Sequence, residues 1–279
     1  MALSSAQMLP FAASTSVLTL SQAAAVALPA ARRVRALERL RGRAWALILP
    51  GSVIAVVASV GAASATAKGL TYLALVAVPP LAAAALGWGV RGSRPALGAA
   101  AVALFLLAWL DRRGLPGEGA ALALSALSCV TLAVLLSMIT PAGWLKGGIL
   151  VMALVDTALV VADLLQAPNN VLNAAAPGGG LPQLQKATFG SAVMGYGDLF
   201  VAAVLGSVLA TRSLLQRRAV VVAAVAGLMF DLLFFVVHEL PATVPIAVTL
   251  LVVDPGARAP LVGLVRRVSP RPVVGETPR

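Results

Sequence analysis

What most constrains this chain is the length of its uncharged apolar runs. The stretch ALALSALSCVTLAVLLSMI, residues 121–139, holds no charged side chain, and similar runs recur along the sequence. Crossing hydrocarbon as a helix takes about 20 mostly apolar residues, because each residue rises about 1.5 Å and every backbone polar group must be bonded internally. That ruler marks out about nine segments: 9–30, 45–65, 69–90, 95–111, 119–140, 146–166, 187–210, 219–237 and 240–254. With 60% hydrophobic residues, 11% charged and a mean hydropathy of +0.96, the chain lies outside the range of soluble domains. The expected fold class is all-α, a polytopic membrane protein of about nine transmembrane helices. The first thirty residues carry no Lys or Arg ahead of the apolar stretch. They are read as a first span rather than as a signal peptide with a basic start. No internal repeat stands out, so a transporter built from two related halves gains no support.

The charges then set orientation. A net charge of +11 could suggest nucleic acid, but the bases fall in short loops between apolar runs, where they read as topology signals. The expected partner is the lipid bilayer, with no nucleic acid. Arg32 to Arg43, Arg91 and Arg94, Lys146, Arg212 to Arg218 and the C-terminal arginines all fall on one side of the alternating helices, 17 of the 21 bases. Lys68, Arg112, Arg113 and Lys186 fall on the other. By the positive-inside rule the N-terminus lies outside and the C-terminus in the cytoplasm of a multi-pass protein. Three regions follow. Residues 1–144 form a scaffold of five helices, 145–254 carry helices six to nine with a mobile outer loop at 167–186, and 255–279 form a disordered cytoplasmic tail. The single cysteine, Cys129, and the single histidine, His238, exclude an internal disulfide and a multi-histidine metal site, so no metal is expected.

Four carboxylates fall inside the expected spans: Asp156 and Asp163 in the sixth, Asp198 in the seventh and Asp231 in the eighth. An ionisable group at the bilayer centre costs at least about 2.5–3.5 kcal/mol, so such residues face a bundle interior or a water-filled cavity. No Lys or Arg within the spans neutralises them. Two carboxylates placed together without a cation share one proton, the arrangement in which one takes a proton from water while the other polarises a carbonyl. Proton transport needs similar acids. Asp198 follows Gly195, Tyr196 and Gly197 in the run VMGYGDLFVAAVLG. Glycines in a membrane helix let another backbone approach and weaken the helix locally.

In these residues the chain resembles the GxGD intramembrane aspartyl proteases, the presenilin and signal peptide peptidase family. The resemblance rests on VVADLLQ with Asp163, on GYGD with Asp198, and on ELPATVPIAV with Pro241, Ala242 and Pro245, and covers roughly residues 145–254. It implies a presenilin-like bundle in which an Asp of the sixth helix pairs with the GxGD Asp of the seventh, near a Pro-Ala-Leu motif opening the ninth. The implied activity is an aspartic-type endopeptidase cleaving transmembrane or signal-peptide helices without a cofactor. Ala162 stands where the family has Tyr, and Thr243 where its proline motif has Leu. Motif position assigns the catalytic pair to Asp163 and Asp198. Asp156, two turns earlier at i−7 and on the same helical face as Asp163, matches Asp198 better in depth and is the alternative.

Type IV prepilin peptidases give a second resemblance, through GxGD and the segment DLLQAPNN, although Leu199 and Phe200 replace the polar residue they carry after the motif. A non-enzymatic proton-coupled carrier or scaffold is the remaining class. Asp231 is read as a hydrogen bond to a neighbouring helix, and His238 with Glu239 as interfacial residues. The prolines Pro241 and Pro245 remove two amide donors and leave the start of the ninth segment irregular.

Overall fold

In the computed structural model, residues 5–62, 64–237 and 240–257 are described. His238, Glu239 and the tail beyond residue 257 lie outside the described residues. The chain is mostly helical. Helix α1 runs Ser5–Ala27, α2 is a single turn at Arg35–Glu38, α3 spans Ile48–Ala62 and α4 Ser64–Ala84. There follow α5 (Ala100–Leu110), α6 (Leu115–Ile139), α7 (Ala142–Val161) and α8 (Gln166–Ala174). A two-stranded antiparallel sheet, β1 (Lys186–Phe189) and β2 (Ala192–Gly195), precedes α9 (Tyr196–Leu209), α10 (Ser213–Asp231) and α11 (Val244–Val253).

Five helical stretches are long and apolar enough to cross a membrane: Arg43–Val60, Ala65–Gly89, Leu115–Ile139, Ala142–Val161 and Ser213–Phe235. Pro95–Leu110, Tyr196–Leu209 and Val244–Val253 are shorter apolar helices. By length and composition this is a multi-pass helical membrane protein. Its centre is α6, whose most apolar window is 72% buried, against 17% for α10 at the rim. Helix α6 packs on α9, α4 and α5. Helix α1, which carries several Ser and Thr residues, is also internal and lies against α9, α10 and α6. Leu18, Ala25 and Val26 are almost fully buried there. Elements before and after residue 144 therefore pack together, α6 and α1 with α9 and α1 with α10.

Two segments differ from the sequence expectation. The span expected at 187–210 is a helix only from Tyr196. Before it, Lys186 pairs with Gly195 and Phe189 with Ala192 across a two-residue turn, Gly190-Ser191. Gly190 has φ +58°, which suits the first central position of a hairpin turn. Thr188, Phe189 and Val193 favour strand, while Gly195 and Gly197 weaken a helix. The hairpin rests on α6 and α1, with the Gly190 amide donating to Glu118 Oε2 at 2.6 Å and the Ser191 amide to Ser14 Oγ at 3.3 Å. The second difference is the outer loop at 167–186, which contains α8. Val171 and Leu172 of α8 pack with Val60 and Ala67, and the Ala175 carbonyl accepts bonds from Thr71 and Gln185.

The connections meet at two ends of the bundle. At one, the Gly42 amide donates to the Ile139 carbonyl at 2.8 Å and Arg32 Nη2 to Ser93 Oγ at 2.7 Å. Arg91 bonds the Ala210 carbonyl and Gln216 Oε1, and Lys146 pairs with Asp254 at 2.6 Å. These contacts gather the basic loops at one end. At the other lie the hairpin with Glu118, and Gly178, whose amide donates to the Tyr72 hydroxyl at 3.2 Å.

Close helix approach depends on small residues. A Cβ at Gly206 of α9 would run into the Val26 carbonyl oxygen of α1. Gly206→Val is therefore expected to push α1 from α9 and destabilise the fold by about 1–3 kcal/mol, read as a lower thermal midpoint in detergent. An unchanged midpoint would show that the two helices are not held at this distance.

Candidate functional site

Asp198 is the third residue of α9, not deep within a long helix. Its Oδ2 reaches back to accept the Gly195 amide at 3.1 Å, one half of a capping box, since Gly195 has no side chain to return the bond. The free amides of the helix start place positive partial charge beside the carboxylate. A Cβ at Gly195 would lie 3.0 Å from Asp198 Oδ2, tighter than an ordinary contact. At Gly197 a Cβ would meet only Val53 and Met152 at ordinary distances. Tyr196, between the glycines, turns to α6, with its hydroxyl 2.7 Å from Ser128 Oγ. Gly195 is exposed and Asp198 half-buried, so the motif opens outward.

The acid set against Asp198 is Asp156. It lies on α7 with 8% of its surface exposed, and reaches Asp198 through neighbours: Thr243 bonds Asp156, and Gln22 bonds the carbonyls of both Ala242 and Asp198. Its Oδ2 accepts two bonds from Thr243 at the start of α11, one from the hydroxyl at 2.6 Å and a longer one from the amide at 3.4 Å. Thr243 is wholly buried. Among the described residues no Lys or Arg stands against either carboxylate, and no group of three or more His, Cys, Asp or Glu converges as a metal site would require.

Asp163 is elsewhere. Helix α7 ends at Val161, and Asp163 takes the left-handed position just beyond, with φ +56°. Its amide donates to the Val160 carbonyl at 3.0 Å and the Leu164 amide to the Leu159 carbonyl at 2.9 Å. This is a Schellman ending, and Asp is among the few residues that tolerate the conformation. Asp163 is exposed. The residue that motif position puts in the pair, Asp163, thus stands beyond the helix end, while the alternative, Asp156, lies in the bonded cluster of Thr243, Ala242, Gln22 and Asp198.

The proline segment also comes to the site. The Pro241 carbonyl accepts the Val244 amide at 3.1 Å, Pro245 occupies the first turn of α11, and Ala242 accepts a bond from α1. That donor is Gln22, 3% exposed, whose Nε2 donates to the Ala242 carbonyl at 3.0 Å and to the Asp198 carbonyl at 3.2 Å. One amide ties both motifs together. Sequence reasoning missed Gln22, although a signal was present. Ser14, Thr15, Ser16 and Ser21 of α1 return their hydroxyls to carbonyls four residues back, whereas a glutamine amide has two donors and an acceptor that call for partners outside its helix. Asp231 accepts the Thr19 hydroxyl at 2.7 Å, the interhelical bond expected of it.

At their basic ends, α7 and α11 are joined by the Lys146–Asp254 pair. Burial works against the Asp254 charge, but the Lys146 hydrogen bond and charge, with the Gly256 amide and Arg212, hold its carboxyl below the ordinary range.

No family model, curated protein or solved structure matches the chain. The site is read from its own residues.

Two outcomes are expected. Gln22→Leu leaves buried carbonyls without their donor and should cost about 1–3 kcal/mol of stability, measured by thermal unfolding. A midpoint equal to that of the wild type would contradict the bridge. Asp254, with a folded-state pKa below its unfolded value, contributes stability that is present above the ordinary Asp range near about 4. That contribution is lost as pH falls through the folded value. Between about pH 7 and 3 the wild type should therefore lose more stability than Asp254→Asn. Parallel curves would rule out the linkage.

Proposed function

We propose that this protein is an intramembrane aspartyl protease that hydrolyses peptide bonds of transmembrane or signal-peptide helices through the pair Asp156 and Asp198. The observation that carries the reading is the placing of two carboxylates together, without a cation, beside a helix start that opens outward. Peptide hydrolysis needs one group to take a proton from water as its oxygen attacks the carbonyl carbon, and another to give a proton to the carbonyl oxygen. The tetrahedral diol then collapses, the C–N bond breaks, and the amine leaves with the proton that the base had accepted. A pair sharing one proton supplies both functions and ends the cycle as it began. In this reading Gly195 and Gly197 leave room for the substrate backbone beside Asp198, Tyr196 anchors the motif to α6, and Pro241, Ala242 and Pro245 frame the opposite wall. No metal or organic cofactor enters the reaction.

The five long helices, the three shorter apolar ones and α1 make nine crossings in the proposed topology, a bundle like that of presenilin and signal peptide peptidase. The end that gathers the basic loops is assigned to the cytoplasm, with the N-terminus outside. Substrates would then enter with a cytoplasmic N-terminus, by resemblance to signal peptide peptidase. Both family resemblances put the partner acid at Asp163, which stands apart from Asp198; the prepilin-peptidase reading has in addition Leu199 and Phe200 against it after the motif.

The test is cleavage of a synthetic transmembrane-helix peptide by the full chain in detergent. Asp198→Ala and Asp156→Ala should each lower the rate at least about a hundredfold, while Asp163→Ala should stay within about twofold, as for a surface change. Loss of cleavage in Asp163→Ala with retention in Asp156→Ala would reverse the pairing. A wild type that cleaves nothing but carries an Asp198-dependent proton flux would make the protein a carrier.

A further inference from the structure

Thr243 bonds Asp156 in a way that the proposed chemistry does not require of an arbitrary neighbour. Its hydroxyl stands 2.6 Å from Asp156 Oδ2, the spacing of an O–H donated to a charged carboxylate oxygen. The Thr243 amide, which can only donate, is directed at the same oxygen from 3.4 Å. An oxygen receiving two donors has no place for a proton of its own, so a proton on Asp156 would have to sit on Oδ1, and each donor to Oδ2 favours the carboxylate over the acid. Asp198 receives less. Its Oδ2 takes one backbone amide at 3.1 Å and the partial charge of a helix start, and its other oxygen has no hydrogen-bond donor among the described residues.

We propose that Thr243 is a positioning residue that sets the roles within the pair: Asp156 is the carboxylate that takes the proton from water, and Asp198 is the acid that gives its proton to the scissile carbonyl. This rests on the protease reading above and deepens it. It is particular to this chain, since a leucine at this place in the resembled proline motif offers no hydroxyl. The proton sequence balances. Water loses a proton to Asp156 as its oxygen bonds the carbonyl carbon, and the Asp198 proton passes to the carbonyl oxygen. When the C–N bond breaks, the departing nitrogen takes the proton from Asp156, and Asp198 recovers its own as the carbonyl of the new carboxyl product reforms.

The groups facing the pair are few. Asp198 meets Asp156 from α9, Thr243 meets it from α11, Cys129 of α6 lies near Asp198, and Gln22 of α1 bonds the Asp198 carbonyl. From α3, Val53 adds no charge beside Gly197. The Lys146–Asp254 pair is ten residues along α7, about 15 Å.

The experiment uses the full chain in detergent and the same helical peptide, with kcat and KM measured across pH for the wild type, Thr243→Val and Thr243→Ser. Valine keeps the shape and removes the hydroxyl. Thr243→Val is expected to lower kcat about tenfold with KM unchanged, and to move the acid limb of kcat/KM to higher pH, because Asp156 has lost the donor that favours its charge. Thr243→Ser should restore both. Should Thr243→Val fail to fold by thermal unfolding, Thr243→Ala against Thr243→Ser carries the same comparison. A wild-type rate and an unmoved acid limb in the variant without the hydroxyl would overturn the role of Thr243 while leaving the protease reading intact. A wild type inactive on the peptide, matching Asp198→Ala, removes both.

Discussion

Hydrocarbon offers nothing to complete the hydrogen bonds of backbone that departs from a helix, and this structure depends on how its irregular stretches are satisfied. There are three near the core, and each is held by a polar side chain from another helix. The end of α1 gives its Val26, Ala27 and Pro29 carbonyls to Gln216 of α10. The hairpin takes Glu118 from α6 and Ser14 from α1. The approach to α11 takes Gln22 from α1 and Asp156 from α7. Three buried polar side chains, Gln22, Asp156 and Gln216, thus serve backbone that would otherwise lack partners, and the site is one of those places. Without the break before α11, Thr243 would not meet Asp156. Without the hairpin, Asp198 would be buried within a longer helix.

The same logic accounts for the depth of the acids. Counted from the start of the apolar run, Asp198 falls well inside a span. Counted from the helix that forms, it lies in the first turn, where its carboxylate caps the Gly195 amide. Asp163 shows the reverse. Its apolar surroundings place it inside the sixth segment, yet the helix has already ended and the residue serves as its left-handed stop. In both cases the helix boundary decides whether an acid faces the bundle or the solvent. The residue that survives this test on α7 is the buried one, Asp156.

The helical class and most of the spans were legible in the sequence because the apolar runs match the thickness of hydrocarbon. The alternation of basic loops was legible too, and the contacts among Gly42, Ile139, Arg91, Gln216, Lys146 and Asp254 join those loops at one end. GxGD pointed to Asp198 through its glycines. The partner was harder to choose, because spacing within a motif does not reveal where a helix stops; the positive φ of Asp163 is a property of the folded backbone. The hairpin hid in an apolar stretch whose Phe-Gly-Ser-Ala turn is a recognised signal, outweighed by the longer hydrophobic run. Gln22 and Thr243 were legible only as polar oddities, since their partners lie 176 and 87 residues away in the chain.

The distribution of bonds bears on how such a site could work. The basic end is cross-linked by the Lys146–Asp254 pair and by the Arg91 and Gln216 contacts, which fix α1, α7, α9, α10 and α11 relative to one another. Toward the other end α10 passes into a 3-10 turn at Leu232–Phe235, followed by Val236, 81% exposed, and among the described residues the Thr19–Asp231 bond and the edge contact of Phe11 with Phe234 tie this part to α1. Asp156 and Asp198 lie between these regimes. In the proposed reading, helices anchored at the basic end keep two carboxylates in register, and the end of α10 has few bonds to lose when a substrate helix approaches. Bracing α10 at both its ends would hold the acids equally well but would oppose entry, so in the proposed reading its lightly tied end is what reconciles a fixed pair with an accessible one.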